Sequence, residues 1–396
     1  MSSSLRELSD IEYGASPKEI RANDRTQFGI YGTSGFLGYA TKPLFNGPLV
    51  VVARKGTLDN PVYVKDNCWV IDTAFAVLPK KEVESKWLYY QLSNYDLKKL
   101  NESTGVPSIS RDYLYRLSFL NPGRPKQRKA VRILTKVDQV IEETEKAIEK
   151  LKNIKQGMMH DLFTRGIDVK TGKLRPRYSE TPELYKETEL GWIPKEWNVV
   201  TVKDYGSVVT GNTPSKNNIS NWGNDFLWAS PFDFYEKYIY DTQTLLSIDG
   251  KKCARIASAG AVLITCIASL GKNAIAAFKM AFNQQINAVI VNQDNDNEYF
   301  YYNILHDGIR FSALAGQTAV PIINKTTFEK FKITRALLPE QKIIANRISK
   351  ADEYLLKTKK ELNKYETLKQ GLMQDLLTGK VEVSPDPQDE EYQEVS

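Results

Sequence analysis

Two stretches of the chain carry the same long-range pattern of apolar and polar positions. In the first, Ala130, Leu134, Val137, Ile141, Thr144, Ile148, Leu151, Ile154 and Met158 recur at steps of four and three. In the second, Ile344, Ile348, Ala351, Leu355, Thr358, Leu362, Tyr365, Leu368 and Leu372 do the same. Such spacing predicts one apolar stripe along a long helix, the seam of a coiled coil. Glu142, Glu143, Glu145, Lys146, Glu149 and Lys150 fall between, on faces that remain in water. A helix of ~35 residues is ~50 Å long at 1.5 Å per residue.

The two stretches are copies. Gln127 to Thr164 matches Gln341 to Thr378 without a gap, at an offset of 341 − 127 = 214. About a third of the positions are identical, so the repeat governs how the rest of the chain is read. Lys155-Gln156-Gly157 and Lys369-Gln370-Gly371 fall in register at the shared ends, where heptad logic prescribes nothing. Each helix alone leaves its stripe in water, and the other copy is present at equal concentration. The expectation is an intramolecular, antiparallel pair with pseudo-twofold symmetry. Its seam is Leu134, Val137, Ile141, Thr144, Ile148 and Leu151 against Ile348, Ala351, Leu355, Thr358, Leu362 and Tyr365.

The repeat extends upstream. Val106-Pro107 matches Val320-Pro321 at 214, Leu88–Leu92 matches Phe300–Ile304 at 212, and Gly14–Pro17 faces Gly211–Pro214 at 197. Each half is therefore a globular domain followed by a helix. Strand-like runs at 48–53, 61–64 and 68–71, with a helix over 86–100, make the first domain mixed α and β, after an opening of polar turns. The second repeats the plan, with strands near 199–201, 226–228, 261–266, 275–278 and 288–291. The expected organisation is α+β: domain 1–124, helix 125–164, an aperiodic Pro-, Gly- and charge-rich linker 165–194, domain 195–338, helix 339–380 and an acidic, disordered tail 381–396.

Composition changes this picture little. The 396 residues are 41% hydrophobic and 26% charged, an ordinary soluble chain. Cys68, Cys253 and Cys266 make neither a disulfide framework nor a zinc knuckle. Met1 leads into a polar segment rather than a signal peptide, and no apolar run reaches the ~18–20 residues of a membrane span. A cytoplasmic setting is expected. The net charge of +6 is a mild bias toward polyanions.

Catalytic motifs are missing. No phosphate loop or dinucleotide fingerprint occurs. His160 and His306 read as surface or packing residues, Ser230-Pro231-Phe232 lacks the second proline of an adenine methyltransferase motif, and Asp168-Val169-Lys170 lacks the upstream acid of a nuclease. The chain is expected to be no enzyme, with no metal and no cofactor of its own. Turn segments mixing cations, amides, aromatics and glycine point instead to DNA. Arg and Lys dock on phosphate or guanine, and Asn and Gln pair with adenine. The candidates are Tyr31, Thr33, Ser34, Arg54, Lys55 and Thr57 in the first domain, and Lys216, Asn217, Trp228, Ser230, Lys272, Asn273, Gln284 and Gln285 in the second.

The order of domain, helix, domain, helix resembles the specificity subunit of type I restriction–modification enzymes. Gly105–Ser110, Leu338-Pro339-Glu340-Gln341, Lys369–Val381 and Glu189–Pro194 carry the resemblance. Arg124-Pro125-Lys126-Gln127 and Thr164-Arg165-Gly166 depart from it, and no long preamble precedes the first domain. These departures bear on helix packing and on how the first strand forms. The resemblance implies two target recognition domains, each reading one half of an asymmetric bipartite site in double-stranded DNA. It implies helices that set the gap and bind two modification subunits, which carry S-adenosylmethionine and flip the target adenine. Restriction (motor–nuclease) subunits join for cleavage. The competing expectation is a non-enzymatic coiled-coil adaptor without sequence-specific DNA binding.

Overall fold

A computed structural model of the chain describes residues 2–23, 28–315 and 320–387. It divides into two compact units, Met1–Ala147 with Thr358–Ser396, and Ile148–Lys357. Each long helix, Arg124–Thr164 and Leu338–Leu377, gives one half to each unit.

The first unit is built on two four-stranded sheets. One has the order Ser9–Tyr13, Ala74–Pro79, Leu49–Ala53, Val62–Val64; the other Arg21–Ala22, Gly35–Ala40, Phe28–Gly32, Cys68–Val70. The strand Leu49–Ala53 is an uninterrupted apolar run because it is central and buried on both faces. Trp87, Leu88 and Tyr90 of the helix Ser85–Asn94 close the core with Leu134 of the first long helix and Met373 and Leu377 of the second.

The second unit repeats this plan in detail. Its main sheet runs Gly206–Thr210, Ile286–Val291, Val262–Thr265, Asn273–Ala276, Tyr238–Ile239. The helix Asn297–His306 takes the place of Ser85–Asn94. Ile344, Ala345 and Ile348 meet Leu162 and Phe163 in its core.

Equivalence reaches individual hydrogen bonds. The short helix Leu5–Leu8 starts in a capping box between Ser4 and Glu7, and Val202–Tyr205 in one between Thr201 and Asp204. Gln127 accepts the Glu84 backbone N–H at 2.7 Å, and Gln341 that of Asp296 at 2.9 Å. In the first unit Tyr90 donates to Asp138 at 2.5 Å and Lys369 pairs with the same carboxylate at 2.7 Å. In the second, Tyr302 donates to Asp352 at 2.7 Å and Lys155 pairs with it at 2.5 Å. Each Asp lies on one long helix and its Lys on the other, so the helices run antiparallel within each unit. All twelve expected seam residues are buried or half-buried. The stripe does not continue as expected beyond them: Ile154 is 53% exposed and Leu368 51%. A 3.6-residue helix drifts out of a 3.5-residue repeat, and here the drift turns both side chains outward.

At one of the equivalent positions inverted in charge, both side chains are paired. Glu340, 1% exposed, accepts hydrogen bonds from Arg175 at 2.5 and 3.1 Å, the Ile167 backbone N–H at 2.6 Å and the Trp197 indole at 3.0 Å. Lys126, its counterpart at the 214 offset, pairs with Glu382 at 3.3 Å. Lys129 and Arg132 add pairs to Asp386 at 2.5 Å each.

Four expectations change. The chain opens on structure rather than polar turns: the buried face of the strand Ser9–Tyr13 is Ser9 and Ile11, so a single apolar residue marks it in the sequence. The first strand forms as its counterpart does: Ser2–Ser4 pairs with Ser118–Leu120, and Asn198–Thr201 with Lys332–Arg335. The linker 165–194 is folded, with a hairpin of Tyr185–Thr188 and Gly191–Pro194 and with Ile167 and Ile193 in the core. Its buried residues are too far apart to leave a period. The tail is held by the Lys126, Lys129 and Arg132 pairs as far as Asp386; 388–396 lie outside the described residues.

Candidate nucleic-acid interface

The variable loops of each unit gather at the same end of its main sheet. In the first unit a glycine makes this possible: a Cβ on Gly14 would lie 2.0 Å from the Ile71 carbonyl. In the second, a Cβ on Gly211 would lie 2.2 Å from the Asn283 carbonyl. The backbone N–H of Gly56 donates to Pro107 in one, and that of Ala268 to Pro321 in the other. Both residues are left-handed, at φ +96° for Gly56 and +62° for Ala268. For an alanine this conformation costs about 1–2 kcal/mol. The strain sits where a loop is held to a fixed shape by its neighbour.

In the first unit the hairpin 28–40 turns at Thr33-Ser34, and Asn60 donates to the Thr33 carbonyl at 3.3 Å. Lys55 bridges to Ser108, so the loops 54–60 and 101–108 are joined. Ser34, Lys55 and Thr57 are exposed, while Tyr31, Thr33 and Arg54 are half-buried. Arg54 lies over the Tyr13 ring at 5.2 Å, and Arg111 over the same ring at 5.1 Å. Tyr13 is 48% exposed, so two guanidinium groups stand on an aromatic base facing solvent. That arrangement places two cations with fixed planes, suited to phosphate or guanine. Tyr13 and Arg111 were missed from sequence because nothing local marks them. They come from a strand and a helix start 98 residues apart (111 − 13).

In the second unit Thr213 donates to Gln284, Asn212 donates to the Cys253 carbonyl at 2.8 Å and accepts the Arg255 backbone N–H at 2.7 Å. Lys216, Asn217, Lys272 and Gln284 are exposed at this end. Four of the expected contact residues have structural partners. Trp228 is 8% exposed, packs on Leu246 and Ala281, and donates to the Asn212 carbonyl at 3.1 Å. Asn273 is buried in its strand and donates to the Tyr301 carbonyl at 2.8 Å. Ser230 caps a short helix with Asp233. Gln285 is half-buried and accepts from Asn283 at 3.2 Å. These polar and aromatic side chains shape the loops that the exposed ones occupy.

The remaining sequence candidates also have structural partners. Asp168 accepts the backbone N–H groups of Lys170 and Thr171, which hold its carboxyl below the ordinary range. His306 stacks on Phe163 at 5.2 Å, with His160 6.3 Å away. Burial pushes the Cys68 thiol up to about 12. Among the described residues no His, Cys, Asp and Glu group could hold a metal ion, and no helix is long and apolar enough to cross a membrane.

The surface of the long helices carries a second repeated feature. Gly157 and Gly371 lie inside the helices, about two turns before their C-terminal ends, where a Cβ would meet nothing within 4 Å. A helix-interior glycine costs about 1 kcal/mol relative to alanine, and no contact within the chain accounts for it. Exposed Ile154 and Leu368 lie three residues before them, one turn away on the same side.

A family model described as "Type I restriction modification DNA specificity domain" matches residues 1–153 and again 194–366. The putative type I restriction enzyme MjaX specificity subunit of Methanocaldococcus jannaschii is 27% identical over 318 residues, 77% of this chain and 70% of that protein. The MjaIX specificity subunit of the same organism is 33% identical over 187 residues, 45% of this chain and 43% of its own. In fold, the chain is similar to the type I restriction–modification S subunit from M. genitalium. The TM-score is 0.61 at 14% identity, covering 95% of this chain and 96% of that one.

Proposed function

The chain belongs to the type I restriction modification DNA specificity family, and from that premise we propose that each unit reads one half of an asymmetric, interrupted site in double-stranded DNA. The observation that carries this reading is the paired loop end. Two units share a scaffold down to single hydrogen bonds, yet their exposed loop residues differ. A common scaffold with different loops suits two different half-sequences. In the first unit Arg54, Lys55, Arg111 and Ser34 face the DNA; in the second Lys216, Asn217, Lys272 and Gln284 do. Phosphate contacts from the cations position each domain, and the amides and Arg54 read base edges.

The chain supplies specificity and no catalysis. Two modification subunits carry S-adenosylmethionine and methylate adenine, and restriction subunits join for cleavage. Gly157 with Ile154 and Gly371 with Leu368 support a docking face repeated once per copy of the helix, one for each modification subunit. The bare glycines leave room for close backbone approach. The complex acts on DNA in the cytoplasm.

The test replaces residues 1–124 with the matching domain of a relative and maps methylated sites in cells by single-molecule sequencing. One half-sequence changes and the other stays. A change in both halves, or in neither, refutes the assignment.

A further inference from the structure

On the second sheet of the first unit, between the lower part of the hairpin 28–40 and the turn after the strand Val62–Val64, lies an open cavity of about 820 Å³. Its walls are aromatic: Phe28, Tyr31, Phe36 and Tyr39. Phe36 is 51% exposed, a large apolar ring left facing water. Tyr31 meets it edge-on at 5.8 Å and 68°, and Tyr39 at 5.0 Å and 69°. Tyr31 is pressed against bare backbone, since a Cβ on Gly29 would stand 2.6 Å from its ring. The wall is thus held in place before any ligand arrives. Lys65, Asp66 and Asn67, all exposed, form the rim on the turn after the strand Val62–Val64. Asn67 Oδ1 accepts the Gly47 backbone N–H at 3.1 Å, which leaves its Nδ2 free to donate outward.

A planar heteroaromatic ring fits this lining. Phe36 and Tyr39 offer π faces, Asp66 accepts from amino or imino groups, Asn67 donates, and Lys65 suits a phosphate. Unstacked bases are held by this combination of aromatic stacking and polar edge contacts. An organic cation in an aromatic cage is the poorer fit, because the Lys65 ammonium shares the rim. We propose that this cup stacks an unpaired nucleobase against Phe36, taken from a strand of the DNA bound by the first unit. The inference rests on the DNA-reading assignment above and names a contact beyond it.

The experiment uses the full chain bound to duplexes carrying its methylated site, with 5-iodouracil or 5-iodocytosine substituted at one position at a time. Irradiation joins a stacked iodinated base to the ring beneath it. Mass spectrometry is expected to place a cross-link on Phe36 or Tyr39 from one position. Phe36→Leu keeps an exposed apolar side chain, so the fold is retained; it should lose the cross-link and weaken binding about tenfold, the effect of one lost stack. A parallel equilibrium dialysis with mononucleotides separates the sources. If mononucleotides bind the cup and DNA never cross-links there, the DNA source is overturned. If the duplex binds with unchanged affinity in Phe36→Leu and every cross-link falls on other loops, the cup proposal falls while DNA recognition stands. If no duplex is bound with sequence preference, the DNA-reading assignment itself falls.

Discussion

Removing Glu340 should unfold the second unit selectively. Its carboxylate is 1% exposed and its partner Arg175 only 11% exposed. It accepts four hydrogen bonds: two from the Arg175 guanidinium, one from the Trp197 indole and one from the Ile167 backbone N–H. Breaking a buried pair by deleting one partner costs about 3–5 kcal/mol, and here the Arg175 guanidinium would keep only the exposed Glu196 carboxylate at 3.7 Å. Stranding the indole and the amide adds to this, at about 1–3 kcal/mol for each unsatisfied group and less than additively within one network. Glu340→Ala should therefore lose about 5 kcal/mol, comparable to the whole stability of many domains. Glu340→Gln keeps two acceptor sites and should lose about half of that. The assay is urea unfolding followed by fluorescence and by hydrogen exchange resolved along the chain. Protection in 262–291 should collapse while that in 49–79 persists. A loss below about 1 kcal/mol for Glu340→Ala would refute the claim that this carboxylate holds the folded connector to the helix.

Tyr90→Phe and Tyr302→Phe each remove one donor from equivalent carboxylates, so urea midpoints should report matched losses of about 1.5 kcal/mol; a severalfold mismatch would undo the equivalence of the two nodes. Gly211→Ala forces a Cβ to 2.2 Å from a carbonyl oxygen and should cost about 3 kcal/mol in chemical denaturation, with an unchanged midpoint contradicting the close approach. Gly371→Ala should raise thermal stability by up to about 1 kcal/mol yet weaken capture of the modification subunit in pull-down; improved stability with unimpaired capture would remove the docking role. The Ser4 backbone N–H and then its hydroxyl hold the Glu7 carboxyl below its ordinary range, and the Thr201 hydroxyl and then its backbone N–H do so for Asp204. Stability from these caps is complete above the ordinary carboxylate range and is lost as pH falls through the depressed values. Glu7→Gln with Asp204→Asn should therefore flatten the acid limb of stability against pH, and an acid limb as steep as wild type would deny the caps any part in it.

The helix pair was legible because its information is periodic and duplicated: every residue of the seam lies within reach of a stripe pattern. The strands 49–53 and 262–265 were legible as apolar runs. The connector was not, because Ile167, Arg175 and Trp197 are tied together only by Glu340, more than a hundred residues away, and Ile193 only by the core it enters. Two of the candidates in the second unit are buried for a related reason. Trp228 and Asn273 are of the residue types that read bases, yet burial is set by sheet position, which residue type does not announce. Tyr13 and Arg111 show the converse, a surface assembled from segments with no local signature.

A duplicated chain carries a hazard that a unique one does not: each helix start could receive the wrong returning segment while folding. Lys126 and Glu340, equivalent in place and opposite in charge, would act as address labels against that error. The segment bearing Arg175 is repelled by Lys126, and the segment bearing Glu382 and Asp386 is repelled by Glu340. The two copies would thereby be sorted at their helix starts, where confusing them would trap the chain in a misassembled state.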